Sequence, residues 1–270
     1  MFLFVFVFAV FSVFSQNRDS FIIDSLIKRN LQLSNQGHFD DALQTILLAK
    51  EKIKDVHGEL DFYFASALIL HGRTYYLMGR YQDTERLYLE GIRVWEKISG
   101  QDNPYYAKAL NNLGLLYRDQ GRYLQAEKVL LNAKAIRERV YGKEHVEYAQ
   151  ALDNLAFLYE AIGDFGKMEA YILESKEIRA KTQGKNHSDY ATSLYNLATL
   201  YSAKGDYQKA EQFFLEVKEI WERTLGKKHP LYARLLTNLA EFPSFIGNHQ
   251  KKEALYLEAK EIRAKFLGME

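Results

Sequence analysis

Seven histidines, His38, His57, His71, His145, His187, His229 and His249, are the first candidates for chemistry in this 270-residue chain. A metal site needs ligands that converge within a few ångströms. His145, His187 and His229 instead recur every 42 residues. Copies of one loop position in stacked helical layers lie about 10 Å apart, so this column caps or packs helices rather than holding a cation. Cysteine is absent, which removes thiolate nucleophiles, Cys-ligated zinc and disulfides together. The sequence has no HExxH, GxSxG, GxGxxG or Walker pattern. Gly142-Lys143, Gly184-Lys185 and Gly226-Lys227 lack the upstream glycine of a phosphate loop and simply follow the same period. Glu127, Glu169 and Glu211 do so too, which suits solvated or interhelical ion pairs better than acid–base catalysis. These residues support neither an enzyme nor a bound cofactor or metal.

Three further columns could bind rather than react. Phe64, Tyr106, Tyr148, Tyr190 and Tyr232 could stack bases or sugars, but at equivalent helix starts they serve helix packing better. Arg137, Arg179 and Arg263, interleaved with Glu138, Glu177 and Glu261, read as a solvated outer face. Asn112, Asn154, Asn196 and Asn238 carry the sharpest binding signal. An amide offers a donor and an acceptor together, so it can pair with the C=O and N–H of an extended peptide whatever that peptide's sequence. The same amides could equally tie one repeat to the next. Residues around them vary: Lys108, Gln150, Thr192 and Arg234 one turn before, and Leu115, Phe157, Thr199 and Glu241 one turn after. Variation on a fixed frame is what partner preference requires.

The elements that position these columns follow from the period. Glycine recurs at Gly37, Gly79, Gly121, Gly163, Gly205 and Gly247, and again at Gly58, Gly100, Gly142, Gly184, Gly226 and Gly268. Six copies account for nearly all residues after 15, with units at about 19–58, 61–100, 103–142, 145–184, 187–226 and 229–268. Each unit reads as two helices. In the third, Asp102-Asn103-Pro104 starts a helix that Gly121 ends, and a second runs over Tyr123–Tyr141 and stops at Gly142. Apolar residues follow helical rather than alternating spacing. A two-helix unit cannot bury its apolar face alone and must stack on its neighbours. The composition, 47% hydrophobic and 26% charged with net charge +1, is globular and lacks the basic footprint of a nucleic-acid binder.

These units resemble the tetratricopeptide repeat. Leu113, Gly114 and Tyr117 match its first-helix pattern, as do Leu155, Ala156 and Tyr159, and Leu197, Ala198 and Tyr201; Ala126 and Ala210 match its second helix. The 42-residue length, with Lys228-His229-Pro230 and Asn196-Leu197-Ala198, is similar to the repeats of kinesin light chains and of many bacterial repeat proteins. The resemblance covers 61–268 strongly and 20–58 weakly. It implies an all-α solenoid of six helix-turn-helix repeats in a right-handed superhelix. It also implies a concave groove lined by first helices, where the Asn column would contact a peptide or partner. The expected function is a non-catalytic protein-interaction scaffold. Two alternatives stay open: a sensor or regulatory segment of a larger protein carrying a CHAT-type peptidase or signalling module, and a cytoplasmic adaptor of kinesin-light-chain type. No heptad stretch precedes the repeats, which weighs against the adaptor.

Both ends depart from the pattern. Met1–Ser15 has no charged side chain and six Phe. Fourteen such residues as a helix span about 21 Å, short of a ~30 Å bilayer core, and the stretch fits the apolar region of a secretory signal with Val13 and Ser15 preceding cleavage at Gln16. Export to a periplasm or the exterior is therefore expected, without membrane insertion after cleavage. Arg29 and Asn30 stand where Leu and Gly would, which suits a polar capping repeat. Pro243 replaces the last repeat's Tyr, and a break in its first helix is expected near Ala240–Glu241. The final helix, about Gln250 to Leu267, keeps an apolar stripe. Further repeats or end-to-end self-association would cover it.

Overall fold

Each first helix from the second repeat onward begins at a side chain that accepts a hydrogen bond from its own first turn. Asp61, Asn103, His145, His187 and His229 form one column of the repeat. They accept from the backbone N–H of Tyr63, Tyr105, Glu147, Asp189 and Leu231. Each bond satisfies one of the four N–H groups that a helix start leaves open. The three imidazoles accept through Nδ1 at 3.1–3.2 Å, which assigns their proton to Nε2. The histidine column is thus a capping column, as its spacing predicts.

The computed structural model describes residues 18–242 and 249–267. Among them are twelve helices and no strand. They run α1 (Arg18–Gln36), α2 (Phe39–His57), α3 (Phe62–Leu77), α4 (Tyr81–Ser99), α5 (Pro104–Asp119) and α6 (Tyr123–Tyr141). Then come α7 (Val146–Ile162), α8 (Phe165–Thr182), α9 (Ser188–Ala203), α10 (Tyr207–Thr224), α11 (Pro230–Ala240) and α12 (His249–Leu267). Gly121, in the turn between α5 and α6, sits at φ +72°, a left-handed conformation that costs a residue with a Cβ about 1–2 kcal/mol. The chain divides into two compact units, Met1–Ile136 and Arg137–Glu270.

In the first unit the core is built from Ile46, Ile53, Leu68, Leu87, Tyr88, Trp95, Leu110 and Leu116, all nearly sealed from solvent. Gly114 shows why the first-helix pattern asks for a small residue. A Cβ built on it would lie 2.5 Å from Leu130 of α6. In the second unit Tyr148, Leu152, Ile172, Leu197, Phe214, Trp221 and Leu236 fill the same role. The aromatic column Phe64, Tyr106, Tyr148, Tyr190 and Tyr232 is buried throughout, so it packs helices and offers no stacking platform.

Two readings of polar residues are corrected. Arg137 and Arg179 do not lie on a solvated face: they are 2% and 7% exposed. Arg137 donates to the Glu147 carbonyl at 3.0 Å, and Arg179 pairs with Asp153 at 2.5 Å. Of that column only Arg263 is exposed, donating to Thr237 Oγ1. Asn30 is not a polar cap either. It is fully buried, and its Nδ2 donates to the Ala42 carbonyl and to Thr74 Oγ1, tying α1 to α2 and α3. Arg29 beside it is exposed.

α11 ends at Ala240, where the break is expected. The N–H groups of Glu241 and Phe242 bond three residues back, to Asn238 and Leu239, in the tighter geometry of a terminating turn. Pro243, residues 1–15, the side chains of Phe266 and Leu267, and residues 268–270 lie outside the described residues.

Candidate peptide-binding face

The Asn column falls on first helices in both units. In the first, Lys108, Asn112 and Leu115 follow one another on α5 at spacings of four and three, all half-buried. This is one face of a helix. In the second, Gln150, Asn154 and Phe157 do the same on α7, also half-buried. On α9, Asn196 is 3% exposed, and its Nδ2 has no hydrogen-bond partner. Thr192 and Thr199 flank it, each satisfied by a carbonyl four residues back, Ser188 and Tyr195.

On α11 the structure brings two of these side chains together. Arg234 Nε and Asn238 Nδ2 both donate to the phenol oxygen of Tyr195, at 2.8 and 2.7 Å. The Arg234 guanidinium also lies over the Tyr195 ring, 4.5 Å from its centre. Burial raises the Tyr195 pKa, opposed by the Arg234 charge, so the phenol stays protonated. Asn238 therefore joins the last repeat to the one before it.

Tyr195 was not among the sequence candidates, and neither was the buried cluster one repeat earlier. There Asp153 accepts from Arg179 Nη2 at 2.5 Å and from Ser175 Oγ at 2.7 Å, while Arg179 Nη1 donates to Ser193 Oγ at 2.8 Å. Asp153 and Tyr195 share one column, and Arg179 and Trp221 another. Tyr195 stacks on Trp221 with ring centres 5.4 Å apart. The signal was in the sequence as a coordinated change: acid with base in one repeat, ring with ring in the next.

Carboxylates of the Glu169 column bridge helices. Glu85 pairs with Arg122 at 2.6 Å and accepts from Tyr117. Glu169 accepts from Tyr201 and pairs with Lys204 at 2.6 Å. The charged partners hold both carboxyls below the usual range, so they remain ionised and serve as anchors.

The tetratricopeptide repeat profile matches residues 63–129, 105–167, 153–219 and 203–265. The chain belongs to the tetratricopeptide repeat family. No curated protein is significantly similar to it in sequence. Solved structures share the fold. A kinesin-light-chain-type repeat protein of Podosopora anserina with nearly identical TPR-like repeats is 19% identical with a TM-score of 0.63, covering 77% of this chain and 98% of its own. BtubC (BKLC) from P. vanneervenii is 21% identical with a TM-score of 0.63, over 94% of each chain. The Rap conjugation gene regulator of plasmid pLS20, solved with the Phr* peptide, is 13% identical with a TM-score of 0.65, over 91% of this chain and 75% of its own. No catalytic family is matched. As a tetratricopeptide protein the chain carries the half-buried Lys108, Gln150 and Phe157 on first helices, and no described helix is long and apolar enough to cross a membrane.

Proposed function

We propose that this protein is a non-catalytic interaction scaffold that binds an extended peptide along the first helices of its second unit. The reading is carried by Asn196. A buried amide donor without an acceptor costs about 1–3 kcal/mol, and a peptide carbonyl supplies that acceptor after a side-chain rotation. Asn154, Gln150 and Phe157 add a half-exposed amide pair and an aromatic surface on α7. The solved relative with its Phr* peptide supports a peptide as occupant. Residues 1–15 would direct export, which N-terminal sequencing of the native protein tests by a start at Gln16.

Selection from a random peptide library displayed on phage identifies ligands. The variant Asn154→Ala/Asn196→Ala is then expected to bind the enriched peptides more weakly, by about fivefold to a hundredfold, from two lost hydrogen bonds at about 0.5–1.5 kcal/mol each, with its melting temperature little changed. Undiminished affinity with lost stability would make both amides structural and refute the reading.

A further inference from the structure

Arg73, Arg137 and Arg179 are the buried arginines among the described residues. Two of them have carboxylates: Arg137 pairs with Glu147 at 3.7 Å and Arg179 with Asp153 at 2.5 Å. Arg73, on α3, does not. It is 9% exposed, and its one hydrogen bond among the described residues runs from Nη2 to Asn35 Oδ1 on α1, at 2.8 Å, a neutral acceptor. Charged side chains are almost never buried without a partner. Packing does not ask for an arginine here either. The same column holds Leu31, Leu115, Phe157 and Thr199 in other repeats.

The carboxylates of the first unit do not fill this gap. α3 has none, and those of α1, Asp19 and Asp24, lie in its first half. Asp24 is about 16 Å along the helix from Asn35. Asp40 and Asp41, at the start of α2, are exposed and form no ion pair with Arg73. Asp83 pairs with Arg80 at 2.6 Å. Asp119 on α5 accepts from Tyr76 and from Arg118, the latter at 2.6 Å. Burial lowers the Arg73 pKa, opposed only by the Tyr88 phenol on α4.

The two helices are pinned together where these side chains meet. Ser34 and Thr74, the sequence neighbours of Asn35 and Arg73, hydrogen-bond at 3.2 Å, and Asn30 Nδ2 donates to Thr74 Oγ1 at 3.2 Å. Asn35 spends its Oδ1 on Arg73, which leaves its Nδ2 as a further donor. Asn35 is itself exposed, so the pair is reached from solvent at its α1 side.

We propose that Arg73 and Asn35 form a recess on the first helices of the first unit that binds one carboxylate, either the acidic side chain of a partner peptide or a free small carboxylate. A guanidinium meets a carboxylate through parallel hydrogen bonds that an ammonium cannot reproduce. The charge matches too. One uncompensated positive charge neutralises one carboxylate, whereas a phosphate monoester brings close to two negative charges. The recess involves neither Asn154 nor Asn196.

Nuclear magnetic resonance of the ¹⁵N-labelled full chain tests this through the Arg73 Nε–H signal, identified by its absence in Arg73→Lys. Titration with an end-blocked Ala-Glu-Ala tripeptide is expected to shift that signal saturably. The Ala-Gln-Ala counterpart, and sodium chloride at equal ionic strength, are expected to leave it in place. Sodium acetate is the second arm. Half-saturation by acetate below that of the tripeptide identifies a free carboxylate as the occupant, and the reverse order identifies a peptide side chain. In Arg73→Met the Asn35 side-chain amide signal is expected to lose its response to both ligands by at least tenfold, with helical circular dichroism kept and a melting temperature no lower than the parent's. An equal shift with the Gln tripeptide, or no shift with either carboxylate, overturns the proposal. So does a lowered melting temperature in Arg73→Met together with an acetate response that persists at Asn35, because Arg73 would then serve only the partial negative charge at the end of α1.

Discussion

Replacing Arg179 with methionine is expected to destabilise the protein by about 3–5 kcal/mol. Asp153 is 6% exposed and its two oxygens are taken by Arg179 and Ser175. Without the guanidinium, a buried carboxyl group is left with the Ser175 hydroxyl as its partner. Ser193 also loses its donor from Arg179. The cost belongs to the stranded charge and not to the pair, so removing both members should recover most of it. Apolar replacements of buried ion pairs are often neutral or stabilising, and the next repeat already shows the alternative: Tyr195 and Trp221 stand in the same two columns. Asp153→Leu/Arg179→Met is therefore expected to lie within about 1–2 kcal/mol of the parent. Urea unfolding of the parent, both single variants and the double variant measures this. A double variant as unstable as the sum of the singles would show that the cluster is irreplaceable and sink the account.

Stability is expected to fall as pH drops from about 6.5 towards 4, with His71 as the main cause in the first unit. His71 is 5% exposed, and neither ring nitrogen has a hydrogen-bond partner. It occupies the column that holds Leu113, Leu155, Leu197 and Leu239 in the later repeats. Burial, then the charges of Lys50 on α2 and Arg86 on α4, push its pKa down from 6.5 to about 4; Asp83 opposes them weakly, and Arg80 adds to them. Tyr75 stands beside the ring at 4.8 Å. The folded value is depressed, so the unfolded chain binds the proton more readily. The neutral form's contribution is complete above the unfolded pKa of 6.5 and is lost as pH falls through the folded value. Its full size is about 3 kcal/mol. His71→Leu should remove this slope and, by ending the burial of two unpaired nitrogens, raise stability at neutral pH by about 1–3 kcal/mol. Thermal unfolding of parent and variant between pH 4 and 7.5 decides it. An identical slope in both would refute the assignment.

The repeat, the two-helix unit and most helix ends were legible in the residues alone. These rest on local rules applied repeatedly. Gly121 and its equivalents stop helices because they alone tolerate positive φ without strain, and Asn103 and His145 start them through bonds two residues long. The small residue at Gly114 and the end of α11 at Ala240 were legible for the same reason. Charge placement was not. Arg137 and Arg179 sit beside Glu residues in a pattern that looks solvated, but helical position alone does not tell which stripe meets a neighbouring helix. Only the tertiary structure set Asp153 against Arg179 across α7 and α8. It likewise decided that Asn238 turns to Tyr195 while Asn154 stays half-exposed. The four amides share one position in the repeat, but their surroundings differ: Asn238 meets the Tyr195 phenol, whereas Asn196 is buried with its Nδ2 unpartnered. A side chain's burial and partners depend on what stands opposite it, and that is a property of the packed pair and not of either strip of sequence.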